Sequence, residues 1–184
     1  MRLRLMEATI ECLVELGWTG TTTTVVSQRA GVSRGAQLHH FPTKQDLVVA
    51  AVEHLTERRR HELAQSAADL PAEGRTRAAL DLIAAQYVSP VFFAALELWV
   101  AARTDPALRA AVVPLERRFG RDAHAYTLAL LGVDERRGHN RQHVQATLDL
   151  ARGLGLAAAL TDDSARRASI LDAWADTLDR ELET

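Results

Sequence analysis

The histidines are the first residues whose spacing could mean chemistry. His139 and His143 stand at i, i+4, the separation at which two imidazoles on one helix face can ligate a metal, yet no HExxH, CxxC or adjoining acidic cluster completes a site. His39 and His40 are sequence neighbours, so on a helix they point about 100° apart and do not converge on one ion. The single cysteine, Cys12, lies among Leu5, Thr9, Leu13 and Leu16 at helical spacing, which fits a buried small hydrophobe and excludes an internal disulfide. No GxSxG nucleophile elbow, phosphate-binding loop or dinucleotide glycine fingerprint occurs. Neither a metal nor a cofactor is expected. What remains is hydrogen bonding and charge aimed at an anion, carried by Arg34, His39, His40, a run of threonines and Lys44, the only lysine in the chain.

The stretch from Thr21 to Leu47, TTTTVVSQRAGVSRGAQLHHFPTKQDL, can position those groups. Thr22, Thr23 and Thr24 supply hydroxyls that accept from the free N–H groups of a first helix, and Val26 and Ala30 repeat at i, i+4 on its inner face. Gly31 takes a positive φ without steric cost, so the chain reverses there while Val32 returns to the core, and Ser33 caps a second helix. With Arg34 at the origin and about 100° per residue, Leu38 and Phe41 fall within about 40° on an inner side. Gly35, Ala36, His39 and His40 occupy the opposite arc, with Gln37 at its edge. Two small residues and two imidazoles facing outward suit a DNA groove and its phosphates. Lys44 opens the next helix, where its ammonium and the free N–H groups both face an anion, so a phosphate is expected there.

The remaining elements follow from the same periodicities. A helix is expected from about Leu3 to Leu16 and is stopped by Gly17, with Trp18 packing back as a plug. From Lys44 a longer helix should run past Arg58-Arg59-Arg60 to about Ala68, and Leu70 to Gly74 reads as a linker. Further helices are expected over 76–88, 91–103, 106–131, 142–160 and 164–182, with Pro114 inside the third. Large side chains gather at Phe92, Phe93, Leu96, Trp99, Phe119 and Tyr126. Val144, Leu148, Ala151, Gly155 and Ala158 form one stripe, and Leu171, Trp174, Leu178 and Leu182 another.

Composition agrees with an all-α chain. The 184 residues are 47% hydrophobic and 5% aromatic, with no sustained alternation of apolar and polar residues. No apolar run reaches the length of a bilayer span and the opening residues lack the pattern of a signal peptide, so a cytoplasmic location without a membrane partner is expected. The net charge of −2 excludes a uniformly basic nucleic-acid binder. Residues 1–60 carry eight Lys+Arg against six Asp+Glu, while residues 61–184 carry 14 against 18, so a dimer would present its basic end twice, with Arg2, Arg4, Arg29, Arg34 and Lys44 converging on phosphates.

In order and spacing, Leu5-Met6-Glu7-Ala8 through Leu16-Gly17-Trp18, Ala30-Gly31-Val32-Ser33-Arg34-Gly35, and His40-Phe41-Pro42-Thr43-Lys44 with Leu47 closely resemble the TetR family of bacterial transcription regulators. The resemblance covers the N-terminal third. Two positions depart from it: the family usually has an apolar residue where Gln37 stands, and a tyrosine that often touches phosphate where Leu38 stands. It implies a three-helix DNA-binding domain over 1–48, with contacts from Thr22, Thr23, Thr24, Ser33, Arg34, Gly35, Ala36, Gln37, His39, His40 and Lys44. It also implies a helical effector-binding and dimerisation domain over 49–184. The effector site expected there is lined by Gln86, Tyr87, Phe92, Phe93, Leu96, Trp99 and Tyr126, with Glu97 as a further polar group. The dimer is expected as a four-helix bundle of the last two helices, through Val144, Leu148, Ala151, Gly155, Ala158, Leu171, Trp174 and Leu178.

The expected partners are therefore double-stranded operator DNA, a small apolar effector and a second copy of the chain. The expected function is a repressor released from DNA by that effector. A small-molecule-binding helical dimer without a DNA role and, more distantly, a helical enzyme using the aromatic cluster stay open on sequence alone.

Overall fold

A computed structural model of the chain describes residues 1–66 and 70–183, and the backbone alone for 59–66. The described residues form nine helices and no strand: α1 (Arg2–Gly20), α2 (Thr23–Ala30), α3 (Arg34–His40), α4 (Lys44–Ser66), α5 (Arg75–Gln86), α6 (Pro90–Ala102), α7 (Pro106–Leu131), α8 (Asn140–Ala157) and α9 (Ser164–Glu181). The all-helical expectation holds. The expected end of the fourth helix near Ala68 and the side chains of Arg59 and Arg60 lie outside the described residues.

Gly17 breaks α1 where the sequence placed its stop, with φ 66° and ψ −176° inside the helical span. Gly31 has φ 61° and ψ 39° at the end of α2. Its N–H and that of Val32, at 3.0 Å, both donate to the Ser27 carbonyl, so the reversal uses carbonyls the helix end leaves open. Thr22 caps α2 by accepting from the Val25 N–H at 3.2 Å, and Ser33 caps α3 by accepting from the Ala36 N–H at 3.3 Å. At the head of α4, the Asp46 carboxylate accepts from the Thr43 hydroxyl at 2.8 Å and the Thr43 N–H at 3.2 Å, while the Asp46 N–H donates back to Thr43 Oγ1 at 3.0 Å.

By packing, the chain forms two compact units. One comprises 1–60 and 90–118, the other 61–89 and 119–184. In the first, α1 packs on α6 and on α2, and α2 packs on α3. Leu5, Leu13, Val26, Phe41, Leu47, Val48 and Leu98 are buried there. The units thus follow packing, whereas the expected division near residue 48 follows role along the chain.

In the second unit α5, α8, α9 and the end of α7 share a core of Leu80, Ile83, Leu130, Val144, Leu148, Leu154, Leu171 and Leu178. Polar ties join α5 to α9: the Arg77 Nε donates to Asp172 at 2.5 Å, and the Thr76 hydroxyl to Asp179. The buried Asn140 amide donates to the carbonyls of Asp134 at 2.9 Å and Glu183 at 2.7 Å, which fastens the loop before α8 to the segment after α9.

This core already takes up most of the residues expected at the dimer interface. Val144, Leu148, Ala151, Gly155, Leu171 and Leu178 are buried within one chain, while Ala158 and Trp174 are half-buried, the Trp174 indole donating to Thr147 Oγ1 at 2.9 Å. The small residues do admit a close neighbour, but it is α5 of the same chain: a Cβ on Gly155 would stand 2.2 Å from the Tyr87 carbonyl oxygen. Helical periodicity identifies a face that must be covered without saying by what.

Candidate nucleic-acid interface

The exposed surface of the helix-turn-helix is built by three short pieces of backbone, each held by a cap. On α3, Gly35, His39 and His40 are exposed and Ala36 is half-exposed, as the outer arc requires; Arg34, at the origin of the expected inner side, is exposed too, as is the cap Ser33. The His39 and His40 rings stand edge-on with centroids 5.4 Å apart. At the start of α2, Thr22 and Thr24 are exposed and Thr23 is half-buried.

Two residues of α3 exchange places relative to the sequence projection. Gln37 is 0% exposed, its Nε2 donating to the Phe41 carbonyl at 2.7 Å, whereas Leu38 is 43% exposed. Gln37 is therefore no surface contact but a core residue that ties the last turn of α3 to the chain leaving it. The projection failed at its anchor: Phe41 is buried but lies beyond the helix, at φ −142° and ψ 96°, so counting it at 100° per residue turned the whole wheel. The signal that would have corrected it was already present. A position that the family fills with an apolar residue faces the core, and one filled by a phosphate-touching tyrosine faces out.

The basic groups are less convergent than their sequence positions suggested. The Arg29 guanidinium reaches Glu15 at 2.6 Å and Glu11 at 3.9 Å, fastening α2 to α1. Arg2 lies over the Phe41 ring, 5.3 Å from its centroid. Lys44 is half-buried: its ammonium donates to the Trp18 carbonyl and sits 3.9 Å above the indole. Burial holds the ammonium below its ordinary pKa. Trp18 is half-buried, and Lys44 stands on its indole.

The expected effector residues divide between the two units. Phe92, Phe93, Leu96 and Trp99 belong to α6 in the first, with ring centroids 5.6 Å apart for Phe92 and Phe93 and 6.3 Å for Phe92 and Trp99. Gln86, Tyr87 and Tyr126 belong to the second. Glu97 accepts from the Trp18 N–H at 2.7 Å. Among the described residues no cluster of His, Cys, Asp and Glu could hold a metal ion, and no single helix is long and apolar enough to cross a membrane.

A family model described as "Bacterial regulatory proteins, tetR family" matches residues 5–51, which span α1 to the first two turns of α4. The HTH-type transcriptional regulator CymR of Pseudomonas putida is 36% identical over 171 residues, covering 89% of this chain and 81% of that protein. Among solved structures, a transcriptional regulator from Rhodococcus sp. Rha1 superposes with a TM-score of 0.75 at 21% identity, over 100% of this chain and 98% of that one. One from Saccharomonospora viridis, in complex with choline, does so at 0.72 and 15% identity, over 98% and 96%.

Proposed function

Since the chain belongs to the tetR family of bacterial regulatory proteins, and so is a transcriptional regulator, we propose that it is a homodimeric repressor released from its operator by a small apolar molecule. The observation that carries the DNA reading is the exposed arc of α3, where Arg34, Gly35, Leu38, His39 and His40 all reach solvent from a helix capped at Ser33 and fixed at its end by Gln37. Arg34, His39 and His40 read base edges or phosphates; Leu38 offers an apolar contact of the kind that suits a thymine methyl. Thr22 and Thr24 donate to backbone phosphates, and Lys44, with two of its three donors left over from Trp18, neutralises another.

The dimer is formed by the outward faces of α8 and α9, since their inward faces are spent on the chain's own core. On α8 this face carries Ala146, Gly153, Leu156 and Ala157, all exposed; on α9 it carries Ala165, Ser169 and Ala173. A Cβ on Gly153 meets nothing within 4 Å, so a partner helix can approach there. The effector acts on α6, where the aromatic group of Phe92, Phe93 and Trp99 supplies the apolar surface that binding needs.

Selection from random duplexes followed by gel shift tests the DNA reading. A palindromic consensus, with half-sites about 34 to 36 Å apart, is the expected product. A pool that emerges unenriched at low and moderate salt would instead favour a binding dimer without a DNA role.

A further inference from the structure

α6 reads PVFFAALELWVAA, and Glu97 is its single charged side chain. A half-buried carboxylate in so apolar a helix needs a donor to offset the loss of water. It has one in the Trp18 N–H, 2.7 Å from Oε2. The approach depends on Gly17, whose positive φ turns the next N–H out of the α1 ladder and whose missing Cβ leaves room: a methyl there would stand 3.1 Å from the same carboxylate oxygen. The other side of Trp18 is held as well. Its carbonyl accepts from the Lys44 ammonium, and its indole lies beneath it. Lys44 is the first residue of α4, just after the buried Phe41 whose carbonyl takes the Gln37 amide at the end of α3.

We propose that Glu97 is a positioning residue for DNA binding: by fixing Trp18 from α6 it sets the place of Lys44, and with it the corner between α3 and α4 that presents the recognition surface. The inference rests on the regulator reading above. It assigns Glu97 a role other than orienting a ligand, and it supplies a physical route by which a molecule seated against Phe92, Phe93 and Trp99 reaches the DNA surface. A shift of α6 by about 1 Å takes the Trp18 N–H and the carboxylate beyond good hydrogen-bond distance.

The test is a double-mutant cycle on the selected operator, with Glu97→Ala, Glu97→Gln, Lys44→Met and the Glu97→Ala/Lys44→Met pair, each checked by thermal melting and by amide hydrogen exchange at Trp18. Glu97→Gln keeps an acceptor and should bind within about threefold of the parent, whereas Glu97→Ala should lose about tenfold, the size of a hydrogen bond to a charged group. The alanine variant should still melt cooperatively while its Trp18 amide exchanges faster. Lys44→Met should cost less in the alanine background than alone. Additive losses, equal damage from Gln and Ala, or parental affinity in Glu97→Ala would each overturn the role of Glu97 while leaving the regulator reading intact. A parent chain that selects no duplex would remove both.

Discussion

α3 and α8 differ in how much of their surroundings helical periodicity alone can specify. On the 18-residue α8, Val144, Leu148, Ala151 and Gly155 all lie on the buried side as helical periodicity requires, and the neighbour that covers them includes α5 of the same chain. On the seven-residue α3 the wheel itself was misaligned, and Gln37 and Leu38 changed sides. A long helix averages over its ends, so periodicity settles which face is covered; two turns of helix are set by their caps, and one anchor outside the helix rotates everything. Neither length tells an intrachain neighbour from a partner, because the requirement to bury apolar surface is the same in both.

The largest effect should separate the two sides of α8. Gly155→Ala places a Cβ 2.2 Å from the Tyr87 carbonyl oxygen, a backbone atom at the end of α5 that cannot swing aside. Overpacking of that kind costs about 3 kcal/mol or more, read as a lower midpoint in thermal or urea unfolding. If Gly155→Ala instead melts like the parent and only weakens self-association, the stripe belongs to the dimer after all.

Gly153, two residues away on the open side, is the counterpart. Gly153→Arg should leave far-ultraviolet circular dichroism and the buried core untouched, yet weaken the dimer by about 2 kcal/mol through steric and charge conflict at the proposed contact. Sedimentation or light scattering at several concentrations measures it. A dimer of unchanged affinity would move the interface off this face. Gly153→Ala, by contrast, replaces a flexible residue in a helix interior and should gain stability of about 0.5 to 1 kcal/mol.

Much of the fold was legible because the signals were local. The stops at Gly17 and Gly31, the caps at Thr22 and Ser33 and the bounds of α6 and α7 depend on φ preferences and hydroxyls within a few residues. The hydrogen bond from Trp18 to Glu97 spans 79 positions, and the packing of Gly155 on Tyr87 joins elements 68 residues apart; no window along the chain contains either. The site was legible in the same measure. His39 and His40 could be placed outward from their own helix, whereas the engagement of Arg29 with Glu15 and of Lys44 with Trp18 depends on how α1 lies against α2 and α4.

On α3, His39→Ala should change sequence preference at one operator position and cost about 1 to 2 kcal/mol there, the usual range for a lost base contact. The measurement is a repeat of the duplex selection with the variant. Uniform weakening across all sequences, with a shallower salt dependence, would make His39 a phosphate contact instead.

The smallest effect should come from Gln37, and it is the sharpest test of which way α3 is turned. Its Oε1 is buried without a hydrogen-bond partner while its Nε2 serves the Phe41 carbonyl, so the side chain carries one cost and one gain of similar size. Gln37→Leu removes both and puts in this core the kind of residue that the TetR resemblance leads one to expect. Stability should therefore move by no more than about 1 kcal/mol in either direction. Base preference should not move at all, since a fully buried side chain touches no duplex. Leu38→Asn, on the neighbouring and exposed position, should do the reverse, leaving the melting temperature nearly unchanged while altering the selected sequence. If Gln37→Leu changes the consensus and Leu38→Asn does not, the face of α3 that carries Gln37 meets the duplex, and α3 turns about its axis on binding DNA.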